Sequence, residues 1–306
     1  MKQRLHAFLA ERLAGLGLSP EEMLTRDAPH GLAEPGLTSA NRSCRMIECT
    51  DGWIALNLAR DEDVEVIPAL TGRSGEPWAC VEAEASKGSA ETLRDRAVEL
   101  QLPVALVGES PSQPLAAIGC KAPGKVVDLS ALWAGPLCAG LLVRAGAEVL
   151  RIESLGRPDP TPVSSPRLDA MINSGKARLP LDLRTDAGRA RLLAEVASAD
   201  VLVTSARAAA LDRLGLAPEA YPHLTWVAIT AHGFAGHGAA RVGFGDDCAA
   251  AGGLVRWQGR EPRFFGDAIA DPLTGLEAAR AVLSGQGGLI DMAMARVARA
   301  YADAIG

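Results

Sequence analysis

The sequence predicts an α/β protein, with an open and mostly parallel sheet in its larger part and a smaller α+β part at the amino end. Three observations carry this. From Val126 onward, short apolar runs alternate with helix-length stretches, the rhythm of parallel βαβ units. Ahead of that region, residues 45–58 read as two strands joined by Thr50-Asp51-Gly52, a hairpin signal. Between the two regions, residues 108–125 hold Pro111, Pro114 and Pro123 among glycines with little periodicity, which suits a linker. The expected division is 1–124, a small α+β domain with its linker, and 125–306, a Rossmann-like domain.

Each element has its own signal. Leu5, Phe8, Leu9, Ala10, Leu13 and Leu16 recur at three-four spacing and predict an opening helix that Gly15 and Gly17 help to close. Residues 27–43, rich in Gly, Pro, Ser and Asn, predict a loop. The hairpin at 45–49 and 53–58 follows, then helices over 63–70, 78–85 and 90–100 and an apolar strand at 104–107. In the larger part, strands are predicted at 126–129, 148–152, 179–183, 200–203 and 226–229, with helices over 136–144, 186–197 and 208–214. Ligands of such sheets bind beyond the carboxyl ends of the strands.

Composition narrows the functional classes. With 48% hydrophobic and 22% charged residues among 306, the chain has ample material for a core. The formal charge of -6 comes from 31 basic and 37 acidic residues that are interspersed, so no basic face for nucleic acid is expected. Six scattered cysteines lack metal-ligand spacing and the five histidines form no cluster, His232 and His237 reading as residues of a glycine-rich loop; no metal is expected. The opening Met1-Lys2-Gln3-Arg4 has no apolar signal core, and cytoplasmic residence is the expectation. The longest uncharged run, 129–143, is broken by Gly135, Pro136 and Gly140 and falls short of the roughly 18 residues a membrane span needs.

Motifs exclude more. The first strand-to-helix turn, Leu129 to Pro136, lacks the Gly-x-Gly-x-x-Gly pattern of dinucleotide sites. No phosphate-binding Gly-x-x-x-x-Gly-Lys-Ser/Thr loop and no Gly-x-Ser-x-Gly nucleophile elbow occur. What remains is Asp267 to Gly275, an apolar segment that delivers a carboxylate to a helix start. Asp271 before Pro272 reads as an N-cap with proline at the first helical position, and Leu276, Ala279 and Leu283 continue at helical spacing. Capping alone accounts for such an Asp, so its surroundings decide.

Those surroundings resemble a family. Val127-Asp128-Leu129-Ser130, Ala134-Gly135-Pro136, Leu141-Leu142 and Gly146 to Glu153 look like the opening of a family III CoA-transferase, the group of carnitine, formyl and bile-acid CoA-transferases. The likeness continues in order through Asn173, Lys176, Leu181-Asp182-Leu183, Ala199 to Val203, Leu211 to Gly215 and Ile229 to Phe234. It ends with Gly252-Gly253, Asp271 to Gly275 and Gly285 to Asp291. Thr50 to Leu56, with Leu102 to Val107, resembles the family's small domain placed before the nucleotide-fold segment instead of after it.

The resemblance implies a homodimer, although the changed domain order bears on the interlocked ring typical of relatives. It implies coenzyme A, bound as a substrate thioester, and a carboxylic acid acceptor. Asp271 stands at the position of the nucleophile that takes the acyl group, with Asp267 as its rival in sequence. Leu132, Trp133 and Ala134 fall on the adenine and ribose side of the first turn. Lys176, Arg213 and Leu214 fall on positions lining the nucleotide site, and Arg241 near the acyl and pantetheine channel. Ser154 lies where relatives carry a nearby Arg, Ser205-Ala206 where they carry Asn-Phe, and Ala177 where they carry a second basic residue; Arg151 and Arg157 are expected to compensate in part. Gly252 and Gly253 are expected to allow close approach to a developing oxyanion.

The leading functional reading is therefore transfer of CoA from an acyl-CoA to a carboxylic acid through covalent intermediates on Asp271. An α-methylacyl-CoA racemase on the same scaffold needs a base on each face of the α-carbon. Such relatives place a histidine where this chain has Phe244, which moves no proton; a shifted alignment would turn to His237. The third reading is CoA binding without turnover.

Overall fold

A computed structural model describes residues 1–306. In chain order the elements are α1 (Lys2–Arg12), α2 (Pro20–Met23), β1 (Cys44–Glu48), β2 (Trp53–Asn57), α3 (Asp61–Glu65), α4 (Ile67–Thr71), α5 (Pro77–Ala85), α6 (Ala90–Glu99) and β3 (Val104–Leu106). There follow β4 (Lys125–Leu129), α7 (Ala134–Arg144), β5 (Glu148–Ser154), α8 (Thr161–Ser164), α9 (Pro166–Asn173), β6 (Ala177–Leu181), α10 (Asp186–Ala197), β7 (Val201–Thr204), α11 (Ala208–Asp212) and β8 (Thr225–Thr230). The chain ends with α12 (Gly245–Ala251), β9 (Val255–Gln258), β10 (Glu261–Phe264), α13 (Ala270–Leu283), β11 (Gly288–Ala293) and α14 (Met294–Ile305). The predicted class stands: a six-stranded parallel sheet with helices, and a small antiparallel sheet.

The chain divides into two compact units, each assembled from three stretches. Unit 1 is residues 1–29, 115–239 and 272–293; unit 2 is residues 30–114, 240–271 and 294–306. No single cut in the chain, at 124 or elsewhere, separates them, and one boundary falls between Asp271 and Pro272, inside α13.

Unit 1 is built on the sheet ordered β11-β8-β7-β4-β5-β6, all neighbours parallel. Strands β4, β5 and β6 run outward in one direction and β7, β8 and β11 in the other, so the order reverses between β4 and β7. In open α/β sheets such a reversal is the place, beyond the carboxyl ends of the strands, where ligands bind. The core gathers Val127, Ile152, Leu202 and Trp226 from the strands with Leu192 and Val196 from α10, and Trp226 Nε1 donates to Thr204 Oγ1 at 2.9 Å. Two glycines allow close packing around α7. A methyl group at Gly140 of α7 would lie 2.4 Å from Ile172 O on α9, and one at Gly275 of α13 would lie 2.6 Å from Ala134 O. Helix α1 joins this unit through a buried two-pronged pair, Arg12 to Glu277 at 2.5 Å for each bond, and through Arg280 Nε donating to Arg12 O at 2.6 Å. The pairing partner lies 265 residues away in sequence, which is why the spacing of α1 alone shows a helix and not where it docks.

Unit 2 carries the antiparallel sheet β1-β2-β3, with Met46 opposite Ala55 and Ala55 opposite Ala105. Ile47, Ile54, Leu56, Leu70, Val81, Leu93 and Val104 form its core with α4, α5 and α6. Cys44, Met46, Ala55, Ala250, Val255 and Phe264 form a second cluster under α12 and the β9-β10 hairpin. Trp257 of that hairpin is 56% exposed.

Several expectations are corrected. The helix at 63–70 is two short helices, because Pro68 has no N–H for a continuous ladder. The strand at 179–183 is β6, two residues earlier, with Pro180 tolerated on a sheet edge. No helix is long and apolar enough to cross a membrane.

Candidate active site

In unit 1 the carboxyl ends of β7, β4 and β5 bring together several of the residues singled out by sequence. Ser130 to Trp133 form the turn leaving β4, Ser154 ends β5, and Ser205 follows β7. Ser205 Oγ accepts from the Ala131 N–H at 3.0 Å, so the serine ties the turn to the neighbouring strand. Leu132 sits in the left-handed region at φ +67, an uncommon place for a branched side chain. Its N–H donates to Asp159 Oδ2 at 3.0 Å. Helix α7 then begins at Ala134, with Trp133 as its N-cap and no side-chain cap bond. The Nε1 of Trp133 and the Oγ1 of Thr274 in α13 are buried and have no hydrogen-bond partner.

Beneath the turn lies a buried ionic network. Lys176 Nζ donates to Asp128 Oδ2 at 2.8 Å, Pro136 O at 2.7 Å and Asn173 Oδ1 at 2.8 Å, which takes all three of its donors. Asp128 also accepts from Ser130 N at 3.1 Å, from Ser130 Oγ and from Arg151 Nη1 at 3.3 Å. Burial opposes the Asp128 charge, yet Lys176 and Arg151 hold its carboxyl below the usual range. Burial in turn pushes the Lys176 ammonium down, against the pull of Asp128. Lys176 therefore supports the turn from inside and offers no charge to a phosphate. Arg151 is likewise taken up by Asp128, Glu153 and Asp159, so the compensation expected of it does not arise.

The other residues placed on the nucleotide site divide. Arg213 is the exposed C-cap of α11, and Leu214 packs against the core of the sheet. Arg241, in unit 2, donates to Val104 O at 2.8 Å and Glu109 Oε1 at 2.5 Å.

Asp271, the expected N-cap, lies one residue inside α13 and in its first turn. Its carboxylate thus stands where a negative charge is favoured by the free N–H groups of a helix start. The Asp271 N–H donates to Ala268 O at 2.9 Å. Ala268 is left-handed at φ +43, and its own N–H donates at 2.8 Å to Asp246 Oδ1, a side chain in a residue only 3% exposed. A methyl group at Gly245 would lie 2.3 Å from Ala268 O and 2.3 Å from Asp271 Oδ2, so only glycine fits against the carboxylate. Asp267 occupies the bend before α13. Gly252 does not face this carboxylate: a methyl group there would lie 2.5 Å from Arg299 N of α14. Gly253, at φ +71, makes the turn out of α12.

Next to Asp246, Asp247 is fully buried in the same unit. It accepts from Asn57 Nδ2 and from the Phe244 N–H, both at 3.0 Å. Burial pushes its pKa up to about 6, although these bonds and Arg241 pull the other way. A carboxyl raised in the folded state binds its proton there more tightly than in the unfolded chain. Its contribution is present in full below pH 4 and is lost as pH rises through 6. Asp247→Asn is expected to raise stability at pH 8 by about 3 kcal/mol and to flatten the fall in stability between pH 4 and 6. Urea midpoints of both proteins across that range check this.

Sequence reasoning missed Asp159 and Asp246. The first lies in Pro158-Asp159-Pro160-Thr161, a plain turn signal. The second is one of two adjacent aspartates at the start of α12, where helix capping is sufficient reason.

Comparison with known proteins adds to this geometry. The model of CoA-transferase family III matches residues 124–304. An acyl-CoA transferase of Fusarium pseudograminearum is 29% identical over 184 residues, covering 52% of this chain and 40% of the relative. A succinyl-CoA–D-citramalate CoA-transferase of Chloroflexus aurantiacus is 30% identical over 190 residues, covering 55% and 47%. The crystal structure of a CAIB/BAIF family protein from Brucella suis superposes with a TM-score of 0.51 at 30% identity, covering 61% of this chain and 55% of that one. The chain spans about half the length of the relatives it matches.

Proposed function

The chain belongs to CoA-transferase family III, and on that premise we propose that it moves CoA from an acyl-CoA donor to a carboxylic acid acceptor through Asp271. The observation that carries the reading is a carboxylate in the first turn of α13, against a glycine that leaves it room, within the span matched by the family. Supporting it, the turn from Ser130 to Ala134 stands at the sheet reversal, where α/β proteins take their ligands. Trp133 Nε1 and Thr274 Oγ1 supply uncommitted polar groups.

In this reading the Asp271 carboxylate attacks the thioester carbonyl, and the carbon–sulfur bond breaks to release CoA thiolate and leave an aspartyl acyl anhydride. The thiolate attacks the aspartyl carbonyl, freeing the donor acid as its carboxylate and leaving aspartyl-CoA. The acceptor carboxylate then attacks that thioester, again expelling thiolate and forming a second anhydride. Attack of the thiolate on the acceptor's carbonyl yields the new acyl-CoA and restores Asp271. No net proton is consumed, so the route needs a nucleophile and charge stabilisation without a second base.

A racemase needs that second base, and the position at issue is Phe244, whose ring lies 5.9 Å from the Arg60 guanidinium and whose N–H binds Asp247. The reading extends to cytoplasmic residence and to a homodimer, the second of which light scattering of the purified protein checks. The function itself is tested by incubating a panel of acyl-CoA donors with carboxylic acids and following new acyl-CoA by mass spectrometry. Transfer for at least one pair supports it. Exchange of the α-proton into deuterated water with no transfer contradicts it, as does CoA binding with neither reaction.

A further inference from the structure

The turn between β4 and α7 is held in a conformation that its own sequence does not favour. Leu132 is 40% exposed and left-handed at φ +67, so neither burial of its side chain nor backbone preference accounts for the geometry. What fixes it comes from a distant loop. Asp159 Oδ2 accepts from the Leu132 N–H at 3.0 Å and from Arg151 Nη2 at 2.6 Å. Asp159 Oδ1 accepts from Thr161 N at 2.9 Å and Thr161 Oγ1 at 2.7 Å. The Thr161 hydroxyl lies a further 3.4 Å from Leu132 O.

The aspartate side chain is 5% exposed and that of Arg151 is 1% exposed. Arg151 ties Asp159 to Asp128, and Asp128 is tied to Lys176. Both oxygens of Asp159 are thus aimed by a buried network, and one of them grips the backbone at the strained residue. A left-handed residue one position before the N-cap sets the direction in which the chain enters α7. It thereby sets where Trp133 and the first N–H groups of the helix point.

We propose that Asp159 is a positioning residue that holds Leu132 left-handed, and so presents Trp133 and the start of α7 to coenzyme A; this rests on the CoA-transferase reading. The residue acts through the backbone of the turn and touches no substrate. It follows that the need for Asp159 falls when residue 132 adopts the left-handed region unaided, as glycine does.

The test combines Asp159→Ala, Asp159→Asn and the double variant Asp159→Ala with Leu132→Gly. CoA affinity is measured by calorimetry, and amide exchange over 130–137 by mass spectrometry. Asp159→Ala is expected to weaken CoA about tenfold or more, the loss of one charge-assisted bond, and to raise KM for acyl-CoA more than it lowers kcat. Exchange over 130–137 is expected to quicken. Asp159→Asn, which keeps an acceptor for the Leu132 N–H, is expected to fall between. The double variant is expected to bind CoA more tightly than Asp159→Ala. A folded Asp159→Ala protein with unchanged affinity and unchanged exchange overturns the proposal. So does a double variant no better than the single one. An unaltered protein that binds no CoA overturns the CoA reading itself, while exchange over 130–137 still reports whether Asp159 holds the turn.

Discussion

Replacing Asp271 by asparagine is expected to lower CoA transfer by about a thousandfold or more, the scale on which removal of a covalent nucleophile acts. The substitution keeps shape and hydrogen-bonding ability but leaves an amide, a poor nucleophile toward a thioester. It also separates two roles the residue can hold. As a first-turn residue of α13, aspartate is favoured by the helix dipole by a few tenths to about 1 kcal/mol, and asparagine keeps its hydrogen-bonding capacity. Asparagine at that place therefore leaves the urea midpoint nearly unchanged. Initial rates and denaturation curves, taken on the same preparations, are expected to diverge sharply. A protein that loses stability and rate in proportion would return Asp271 to a structural role.

The largest effect on stability is expected at Lys176. Its three acceptors, Asp128 Oδ2, Pro136 O and Asn173 Oδ1, have no route to solvent, since the side chains of Lys176 and Asp128 are both 0% exposed. Lys176→Ala strips the ammonium from a buried carboxylate and is expected to cost about 3–5 kcal/mol, a large share of the roughly 5–15 kcal/mol that holds a protein folded. Exchanging both partners for neutral residues, Asp128→Asn with Lys176→Met, removes the orphaned charge along with its cause. That pair is expected to recover part of the loss. Urea unfolding of the two proteins distinguishes them, and equal destabilisation would mean that Asp128 is not what Lys176 neutralises.

The sheet was legible because each strand of unit 1 is an apolar run between helices of sufficient length; 126–129, 148–152, 200–203 and 226–229 fall on β4, β5, β7 and β8. Edges were harder. Gly288–Ala293 forms β11 only by pairing with β8, a long-range contact that local pattern does not carry. The β9-β10 hairpin around Gly259 lies between helices whose apolar content masks it. Arg12 and Lys176 show the same limit for charges. A basic residue reads as solvated or phosphate-binding until its buried acceptor, far along the chain, is known. The turn around Leu132 was placed by resemblance, but its left-handed backbone and the grip of Asp159 have no sequence signal, since leucine there argues against that conformation.

Covalent capture tests the central claim most directly. The protein is turned over with an acyl-CoA, quenched into hydroxylamine and digested, and the peptide containing Asp271 is weighed. An aspartyl hydroxamate on Asp271, formed only when acyl-CoA is present and absent from Asp271→Asn, is the predicted result. Steady CoA transfer with that peptide unmodified would contradict the account.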